Sequence, residues 1–599
     1  MKRLIILTLL LASTPLFSQA GFDAQYETLR TSKKLTDSAR LHRLFALDYD
    51  YGMATYPEWA TWEGRHENDD KLTDNSLEAI LKREKEGRRS YDVIMAINRA
   101  KLNDVDKLNY DLYRRSLERD KEGEIFEWYY TPITQLGGIH QDIPQLFEVM
   151  PTETVKDYEN IIARMNAVPQ AVRNDVELMR LGLEKGITPP RVTLRDVPGQ
   201  VAALLVEDFT KSPILLPFVE MPAEMSESDR KRLRDAAEAA YVESVEPALR
   251  ELHKFLEEEY VPAARESIGM SALPNGKAWY AFRVKGYTTT DMTPEEIHAF
   301  GQSEVKRIRA EMEKVVKESG FEGTLTEYEN FLRTDSQFYY TTAEALLTGY
   351  RDICKRADPE LAKLFGHLPR QPYGVIPIPD YMAKSQTTAY YNGGSWEAGR
   401  PGYFYANTYD LASRPKWEMQ PLALHEAVPG HHLQISIAQE LDELPRWRRD
   451  GGYTAYVEGW GLYAESLGEK MGFYTTPSDK YGQLSYQMWR AVRLVVDVGI
   501  HQLGWTRQQA IDFFAANSGK SLHDIEVEID RYIVWPGQAL AYKIGERKIV
   551  ELRDYARAQL GERFDIRDFH DELLGDGALP LDVLETKMRA WVESIKNSK

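Results

Sequence analysis

The sequence has little cysteine, no excess of basic residues and no long hydrophobic run after its first residues. Its one cysteine, Cys354, cannot form an intramolecular disulfide, so the fold must depend on its core and on any bound metal. The formal net charge of −18 argues against nucleic-acid binding, which requires a basic surface. Later apolar stretches are soon broken by charged residues and are shorter than the ~20 residues that cross a bilayer. We therefore expect no nucleic acid partner and no membrane span in the mature chain.

The first twenty residues have the three parts of a secretory signal peptide. A basic start is followed by the apolar run 4–12 and by the small-residue segment 18–20. This pattern predicts a cleaved signal peptide over residues 1–20 and a periplasmic or secreted protein. Since no cysteine lies near the expected cut, a lipid anchor there has no attachment point.

Most of the remaining chain has the composition and spacing of α-helices. Residues 226–260 and 577–598 are rich in helix formers, and residues 293–318 begin with a threonine cap, a proline and a glutamate three residues after the cap. The length favours at least two lobes. We place an N-terminal helical lobe at 21–285 and a catalytic helical lobe at 286–599, because a threonine-rich break precedes the capped helix.

Strand signals are few and lie close together. Residues 375–379, 387–391 and 402–407 are β-branched or aromatic and are flanked by glycine, proline or asparagine. All three segments lie within fifty residues upstream of His425. The sequence therefore predicts a mainly α protein with a small β-sheet beside the candidate site.

Three histidines and a glutamate lie together in the stretch His425–His432. Catalytic zinc sites use three protein ligands, which are mostly imidazole and carboxylate, and a water molecule. The short zinc-peptidase pattern H-E-x-x-H places two histidines four residues apart on one helix face. Here the fourth position after His425 is Pro429. On an ideal helix the later histidines would lie roughly 9 and 10.5 Å further along the axis, which is too far for one ion.

The pair Pro429-Gly430 offers a way to bring the histidines together. Proline breaks or kinks a helix, and glycine beside it accepts unusual backbone angles. If about two residues loop out, His431 takes the place of the second ligand. His432 then acts as a supporting or transition-state group, although the opposite assignment of the two histidines is open.

The third ligand is predicted to come from a helix that starts near Thr454. Glu458 lies early in this helix among apolar residues and glycines, where a carboxylate is costly unless it is paired or bound to metal. Glu465, two turns later, is the rival ligand or a partner of a ligand histidine. Zinc held by His425, His431 and Glu458 is the resulting hypothesis; the alternative is that the histidines form an ordinary polar face.

Five segments are similar to the blocks of the bacterial family known as domain of unknown function 885. They are Pro57–Gly64, Arg400–Thr408, His425–Gln434, Tyr456–Glu465 and Pro536–Gly545. This family resembles the helical, gluzincin-like zinc metallopeptidases. The resemblance implies a large, mostly helical, two-lobed fold with a central cleft and a peptidase-like zinc site, and it implies no particular substrate.

Such a site would hydrolyse short peptides with a metal-activated water. Glu426 is the candidate general base, and Tyr542, after the Pro536-Gly537 pair, is the candidate donor to the oxyanion. Tyr542 is equally well explained as a packed aromatic residue.

Substrate contacts are predicted around the segment 402–407. This strand, with Tyr405 and Asn407, could pair with an extended peptide, and Arg400 could hold a carboxylate. The alternatives are an ordinary sheet strand and a surface salt bridge. Two other functions compete with a peptidase: a zinc hydrolase of another amide or an ester, and an inactive peptide-binding protein. The oligomeric state has no sequence signal.

Overall fold

The computed structural model describes residues 19–384, 386–396 and 398–598. The predicted fold class is confirmed, since the chain is mainly helical with one three-stranded sheet in the described part. Residues 1–18 of the predicted signal peptide lie outside the described residues. None of the helices in this part of the chain combines the length and the apolar character that a bilayer crossing requires.

Four of the first five helices share a buried cluster near the N-terminus. The five helices are α1 (Gln19–Thr31), α2 (Asp37–Thr55), α3 (Pro57–Trp62), α4 (Leu77–Met95) and α5 (Asp104–Gly123). The cluster includes Leu44 of α2 and Ile94 of α4, and α3 packs against α2. Three of these helices begin at a side-chain cap, because Thr36, Ser76 and Asn103 each accept a hydrogen bond from the backbone N–H three residues later.

The next seven helices surround a second apolar cluster, formed by residues between 133 and 264. They are α6 (Ile139–Val149), α7 (Val155–Lys185), α8 (Arg191–Leu194), α9 (Val197–Ala202), α10 (Glu227–Ala240), α11 (Glu246–Phe255) and α12 (Val261–Ala263). The predicted helix at 226–260 is confirmed as α10 and α11, joined and followed by the π-helical turns Tyr241–Val245 and Leu256–Tyr260.

The remaining helices build the largest core, which surrounds the candidate site. They are α13 (Gly276–Thr288), α14 (Pro294–Glu318), α15 (Leu325–Thr334), α16 (Ala343–Ala357), α17 (Asp380–Ala383), α18 (Lys416–Glu426), α19 (His431–Gln439), α20 (Arg446–Arg449), α21 (Thr454–Leu467), α22 (Pro477–His501), α23 (Arg507–Ala515), α24 (Leu522–Val534), α25 (Ala541–Leu560), α26 (Ile566–Leu574) and α27 (Leu581–Asn597). The predicted capping box of α14 is confirmed, because Thr293 and Glu296 exchange hydrogen bonds between side chain and backbone. The expected lobe boundary at residue 285 falls in the last turn of α13 and stays a prediction.

Four of these helices position the candidate site. α18 packs against α21 and α22, and α21 also packs along α25. α22 is buried almost throughout from Tyr481 to His501, so it forms the centre of this core. The histidine segment and its partner helices are therefore held on rigid, buried elements.

The three predicted strands form one small sheet. They are β1 (Tyr373–Pro377), β2 (Ala389–Asn392) and β3 (Gly402–Ala406), in the order β1-β3-β2. β3 pairs with β1 in parallel and with β2 in antiparallel orientation, and Phe404 lies opposite Val375 and Tyr391. β3 therefore occupies the middle of the sheet.

A large cavity separates the N-terminal helices from the site-bearing helices. Its volume is about 1660 Å³. One wall consists of residues between 115 and 132, and the other includes residues from 279–291 and 447–454. The cavity thus reaches Thr454, the first residue of α21.

Candidate metal centre

A break between two short helices brings two histidines together. α18 ends at Glu426 and α19 begins at His431, so the predicted interruption at Pro429-Gly430 is confirmed. A Cβ atom at Gly430 would lie 1.9 Å from the carbonyl oxygen of His425, so the chain can turn back this tightly only at glycine. The rings of His425 and His431 consequently lie 4.6 Å apart and nearly perpendicular.

Helix α21 adds a carboxylate to this pair. Oε2 of Glu458 lies 3.4 Å from Nε2 of His425 and 3.3 Å from Nε2 of His431. One atom from each of the three side chains falls within 4.8 Å of the other two. The Glu458 Oε2 atom is buried and has no hydrogen-bond partner within the described residues. Two imidazoles and a carboxylate are the donor set of catalytic zinc sites, so these residues fit a metal ion.

The imidazole of His425 lies along α21 between two carboxylates. Glu458 and Glu465 are seven residues apart, which places them two turns apart on one helix face. Oε1 of Glu465 lies 2.9 Å from Nδ1 of His425, so the Nδ1–H donates to Glu465 and Nε2 faces Glu458. Between them, a Cβ atom at Gly461 would lie 2.7 Å from the His425 ring. The glycine therefore provides the surface on which the imidazole rests.

Charges around the three side chains are strongly coupled. Burial acts to lower the pKa of His425, but the adjacent carboxylate of Glu458 and the hydrogen bond with Glu465 outweigh it and raise this pKa to about 9. Burial acts to raise the pKa of Glu458, but the two imidazoles that lie within 3.4 Å of its carboxylate hold this pKa well below its usual range. The carboxylate is thus ionised, as a metal ligand must be, and metal binding would displace protons from the histidines.

Two further groups with predicted catalytic roles lie beside the histidine pair. Glu426 is the last residue of α18 and is 7% exposed, and no hydrogen bond or ion pair holds its carboxylate within the described part of the chain. The ring of Tyr542, in α25, is nearly parallel to that of His425 at 6.3 Å. Its hydroxyl accepts hydrogen bonds from Arg531 (3.1 Å) and Gln538 (3.4 Å), which leaves its own proton free to be donated.

His432 points to a different set of partners. Its Nε2 lies 3.0 Å from the carbonyl oxygen of Gln371, and its Nδ1 lies 2.8 Å from the hydroxyl of Tyr391 in β2. A carbonyl only accepts, so Nε2 donates and Nδ1 accepts. Burial lowers the pKa of His432 to about 4, so the ring is neutral. Both nitrogens therefore hold α19 to the sheet and to the segment before β1, and the predicted role of His432 in the reaction stays a prediction.

The predicted substrate contacts are largely structural. β3 has no free edge, because both of its sides are paired, so the expectation that residues 402–407 add a peptide strand is wrong. Tyr405 stacks on Tyr390 at 4.8 Å. Asn407 is 1% exposed, and its amide nitrogen donates to the carbonyl oxygens of Ala383, Gln386 and Thr387. That side chain fixes the loop before β2, and a substrate-binding role of Tyr405 or Asn407 stays a prediction.

Arg400 lies at a small cavity near α21. Its guanidinium lies 5.4 Å from the ring centre of Trp62, and the cavity of about 350 Å³ is also lined by Val457, the neighbour of Glu458. The surface salt bridge considered as the alternative is not found among the described residues. A role for Arg400 in binding a substrate stays a prediction.

Comparison with known sequences places the chain in a family. The profile of a group of bacterial proteins of unknown function, DUF885, matches residues 57–588. The chain belongs to this DUF885 family. The resemblance predicted from the five sequence segments is therefore confirmed. No curated protein matches the chain.

Two solved structures share the fold of this DUF885 protein. One is a candidate lipoprotein from Colwellia psychrerythraea, which is 27% identical, with a TM-score of 0.87 over 94% of this chain and 100% of that chain. Another is a candidate lipoprotein of unknown function from Shewanella oneidensis, which is 18% identical, with a TM-score of 0.65 over 92% and 99% of the two chains. A carboxypeptidase from Pyrococcus furiosus aligns over 95% and 99% of the chains at 10% identity, with a TM-score of 0.36 that supports no inference.

Sequence reasoning missed the arginines beside the DUF885 site. Arg490 and Arg493 are 3% and 2% exposed on α22, and Arg490 lies 3.3 Å from Glu465. The sequence contains a signal for them, because two arginines three residues apart interrupt the otherwise apolar run 488–496. Buried arginines in such a run require acidic partners from elsewhere in the fold.

Proposed function

We propose that this protein is an exported zinc-dependent metallopeptidase that hydrolyses short peptides. The observation that carries the proposal is the convergence of His425, His431 and Glu458 within 4.8 Å around a buried carboxylate oxygen that has no hydrogen-bond partner within the described residues. Catalytic zinc sites use this combination of ligands, and zinc sites that only stabilise a fold use four ligands and more cysteine.

The chain supplies the groups that peptide hydrolysis needs. A zinc ion held there supplies Lewis-acid chemistry, which lowers the pKa of water and polarises a carbonyl group. Glu426, which follows the first histidine and has no hydrogen-bond or ion-pair partner among the described residues, takes a proton from the attacking water and passes it to the leaving amine. Tyr542 keeps a free proton because two donors occupy its oxygen, and it stabilises the oxyanion with that proton.

Two observations support export and a peptide substrate. The N-terminal pattern of residues 1–20 is that of a secretory signal, and the two structural relatives are named as candidate lipoproteins. The cavity of about 1660 Å³ is lined by Thr454, one turn of α21 before Glu458, and is large enough for several residues of an extended chain. A cleft of this kind favours oligopeptides over folded proteins.

Metal analysis combined with peptide digestion tests the proposal. The purified chain from residue 21 onward should hold about one zinc per molecule and should cleave members of a peptide library, as read by mass spectrometry. Glu426→Gln should retain the zinc and lose at least about a hundredfold in kcat, the usual share of a general base. Glu443→Gln, at an exposed position after α19, is the matched control and should keep full activity.

The outcomes also separate the competing functions. Zinc binding without cleavage of any peptide, but with turnover of esters or other amides, would replace the peptidase by another hydrolase. Binding of peptides without turnover, unaffected by Glu426→Gln, would identify a binding protein. Absence of zinc after growth in zinc-supplemented medium would overturn the metal centre itself.

A further inference from the structure

Three arginine side chains surround Tyr542. The guanidinium carbon of Arg493 lies 4.3 Å from the centre of the Tyr542 ring, and that of Arg490 lies 5.9 Å from it. Nη2 of Arg531, in α24, donates to the hydroxyl of Tyr542 at 3.1 Å. Helices α22 and α24 thus concentrate three positive charges next to one end of the candidate site.

Only two carboxylates pair with these three arginines within the described residues. Glu465 lies 3.3 Å from Arg490. Glu528 lies 3.1 Å from Arg493 and 3.5 Å from Arg531, so it is shared. Three cations and two anions leave one positive charge without a partner of its own.

Several N–H groups of the same arginines lack acceptors. Nε and Nη1 of Arg490, Nη1 of Arg493 and Nε of Arg531 are buried and have no hydrogen-bond partner among the described residues. A buried donor without an acceptor destabilises the folded protein, because it has lost its hydrogen bond to water. One carboxylate can accept two parallel N–H bonds from a guanidinium and would relieve both the excess charge and the missing hydrogen bonds.

Arg531 is the least buried member of the cluster. Its side chain is 12% exposed, whereas those of Arg490 and Arg493 are 3% and 2% exposed. It is linked to the histidine pair through one residue, because Tyr542 bonds to Arg531 and its ring lies 6.3 Å from that of His425. A ligand on Arg531 would therefore lie about the length of a tyrosine side chain from the metal-binding group.

We infer that Arg531, together with Arg493, binds a carboxylate of the substrate close to the bond that is cleaved. This inference rests on the proposed peptidase function and names its substrate class. The carboxylate is either the C-terminus of a peptide or an acidic side chain near the cleaved bond. Since little more than Tyr542 separates Arg531 from the histidines, the fragment that carries the carboxylate is short.

Binding of three matched pentapeptides tests the inference without turnover. They share one apolar sequence and differ only in a free C-terminus, an amidated C-terminus, or an amidated C-terminus preceded by glutamate. Their affinities for zinc-loaded Glu426→Gln are measured by isothermal titration calorimetry. At least one carboxylate peptide should bind about tenfold to a hundredfold more tightly than the neutral peptide. The peptide whose affinity exceeds that of the neutral peptide shows whether the site binds a free C-terminus or an acidic side chain.

A second substitution tests whether Arg531 causes the tighter binding of the carboxylate peptides. Arg531→Gln in the same background should abolish the preference while leaving the affinity for the neutral peptide within about threefold. Arg567→Gln, whose exposed guanidinium pairs with Asp565, is the matched control and should preserve the preference. Equal binding of the three peptides, binding of none, or an unchanged preference in Arg531→Gln would each overturn the inference.

Hydrolysis of the same peptides by the wild-type chain separates this inference from the proposed function. Preferential binding without cleavage of any peptide would refute the peptidase and retain the carboxylate site. Cleavage of all three peptides at equal kcat/KM would retain the peptidase and refute the carboxylate site.

Discussion

Glu465 should contribute to metal affinity through His425, because its carboxylate is bonded to Nδ1, the imidazole nitrogen that faces away from Glu458. The substitution Glu465→Gln keeps the size of the side chain and an oxygen that can accept the Nδ1–H, but it removes the negative charge at 2.9 Å. Substitution of a residue that hydrogen-bonds a metal-binding histidine typically lowers the metal affinity 10–100-fold. Glu465 is fully buried, so water cannot replace the lost charge. We expect the upper part of that range, about 30- to 100-fold or about 2–2.7 kcal/mol.

Competition with a chromophoric zinc chelator at pH 7.5 measures this effect. The exposed Glu469→Gln, two residues beyond the end of α21 and paired with Lys480, is the matched control and should bind zinc like the wild type. Because Glu465→Gln also leaves Arg490 buried without its carboxylate, the double variant Glu465→Gln/Arg490→Met removes that unpaired charge. A zinc affinity within twofold of wild type in both variants would refute the reasoning.

Three further outcomes are expected. His425→Ala and Glu458→Ala should each reduce zinc content by equilibrium dialysis to the background level, and full occupancy of Glu458→Ala would remove it from the metal site. Gly461→Ala should weaken zinc binding at least about tenfold, because the new methyl group would lie 2.7 Å from the His425 ring. The control Gly87→Ala, which has open space around it, should leave zinc binding unchanged. Equal zinc affinities of the two variants would show that the His425 ring can move away. Burial raises the pKa of Asp497 to about 7 from its ordinary 3.8, so its contribution to stability is present below pH ~4 and is lost as the pH rises through ~7. Between pH 4 and 8 the free energy of unfolding should therefore fall by up to about 4 kcal/mol more in the wild type than in Asp497→Asn, and parallel denaturation profiles would contradict this.

Local sequence signals were sufficient for the elements and for the three converging side chains. The capping box at Thr293 is a contact between residues three apart, so the sequence contains all of it. The break between α18 and α19 follows from Pro429-Gly430 for the same reason. Glu458 was found because a carboxylate among glycines and apolar residues needs a partner, although the partner itself lies far away in the chain.

Contacts between segments that lie far apart in the chain could not be predicted from the sequence. The position of β3 in the middle of the sheet depends on its pairing with both β1 and β2, and the composition of a strand does not reveal its neighbours. His432 was given a role in the reaction because it adjoins His431, yet its partners, Gln371 and Tyr391, come from segments about sixty and forty residues away. Asn407 resembled an exposed strand end, and only the folded loop shows why it is buried.

The imidazole of His425 lies across two turns of α21, so its two acidic neighbours face it only while the number of residues between Glu458 and Glu465 is unchanged. An inserted or deleted residue between Glu458 and Glu465 would rotate everything after it by about 100° about the helix axis, so one acidic group would face His425 and the other would face away. Such a change alters no ligand, yet it would leave the imidazole free to swivel. Residues 459–464 should therefore tolerate substitution at outward positions far better than any change in their number.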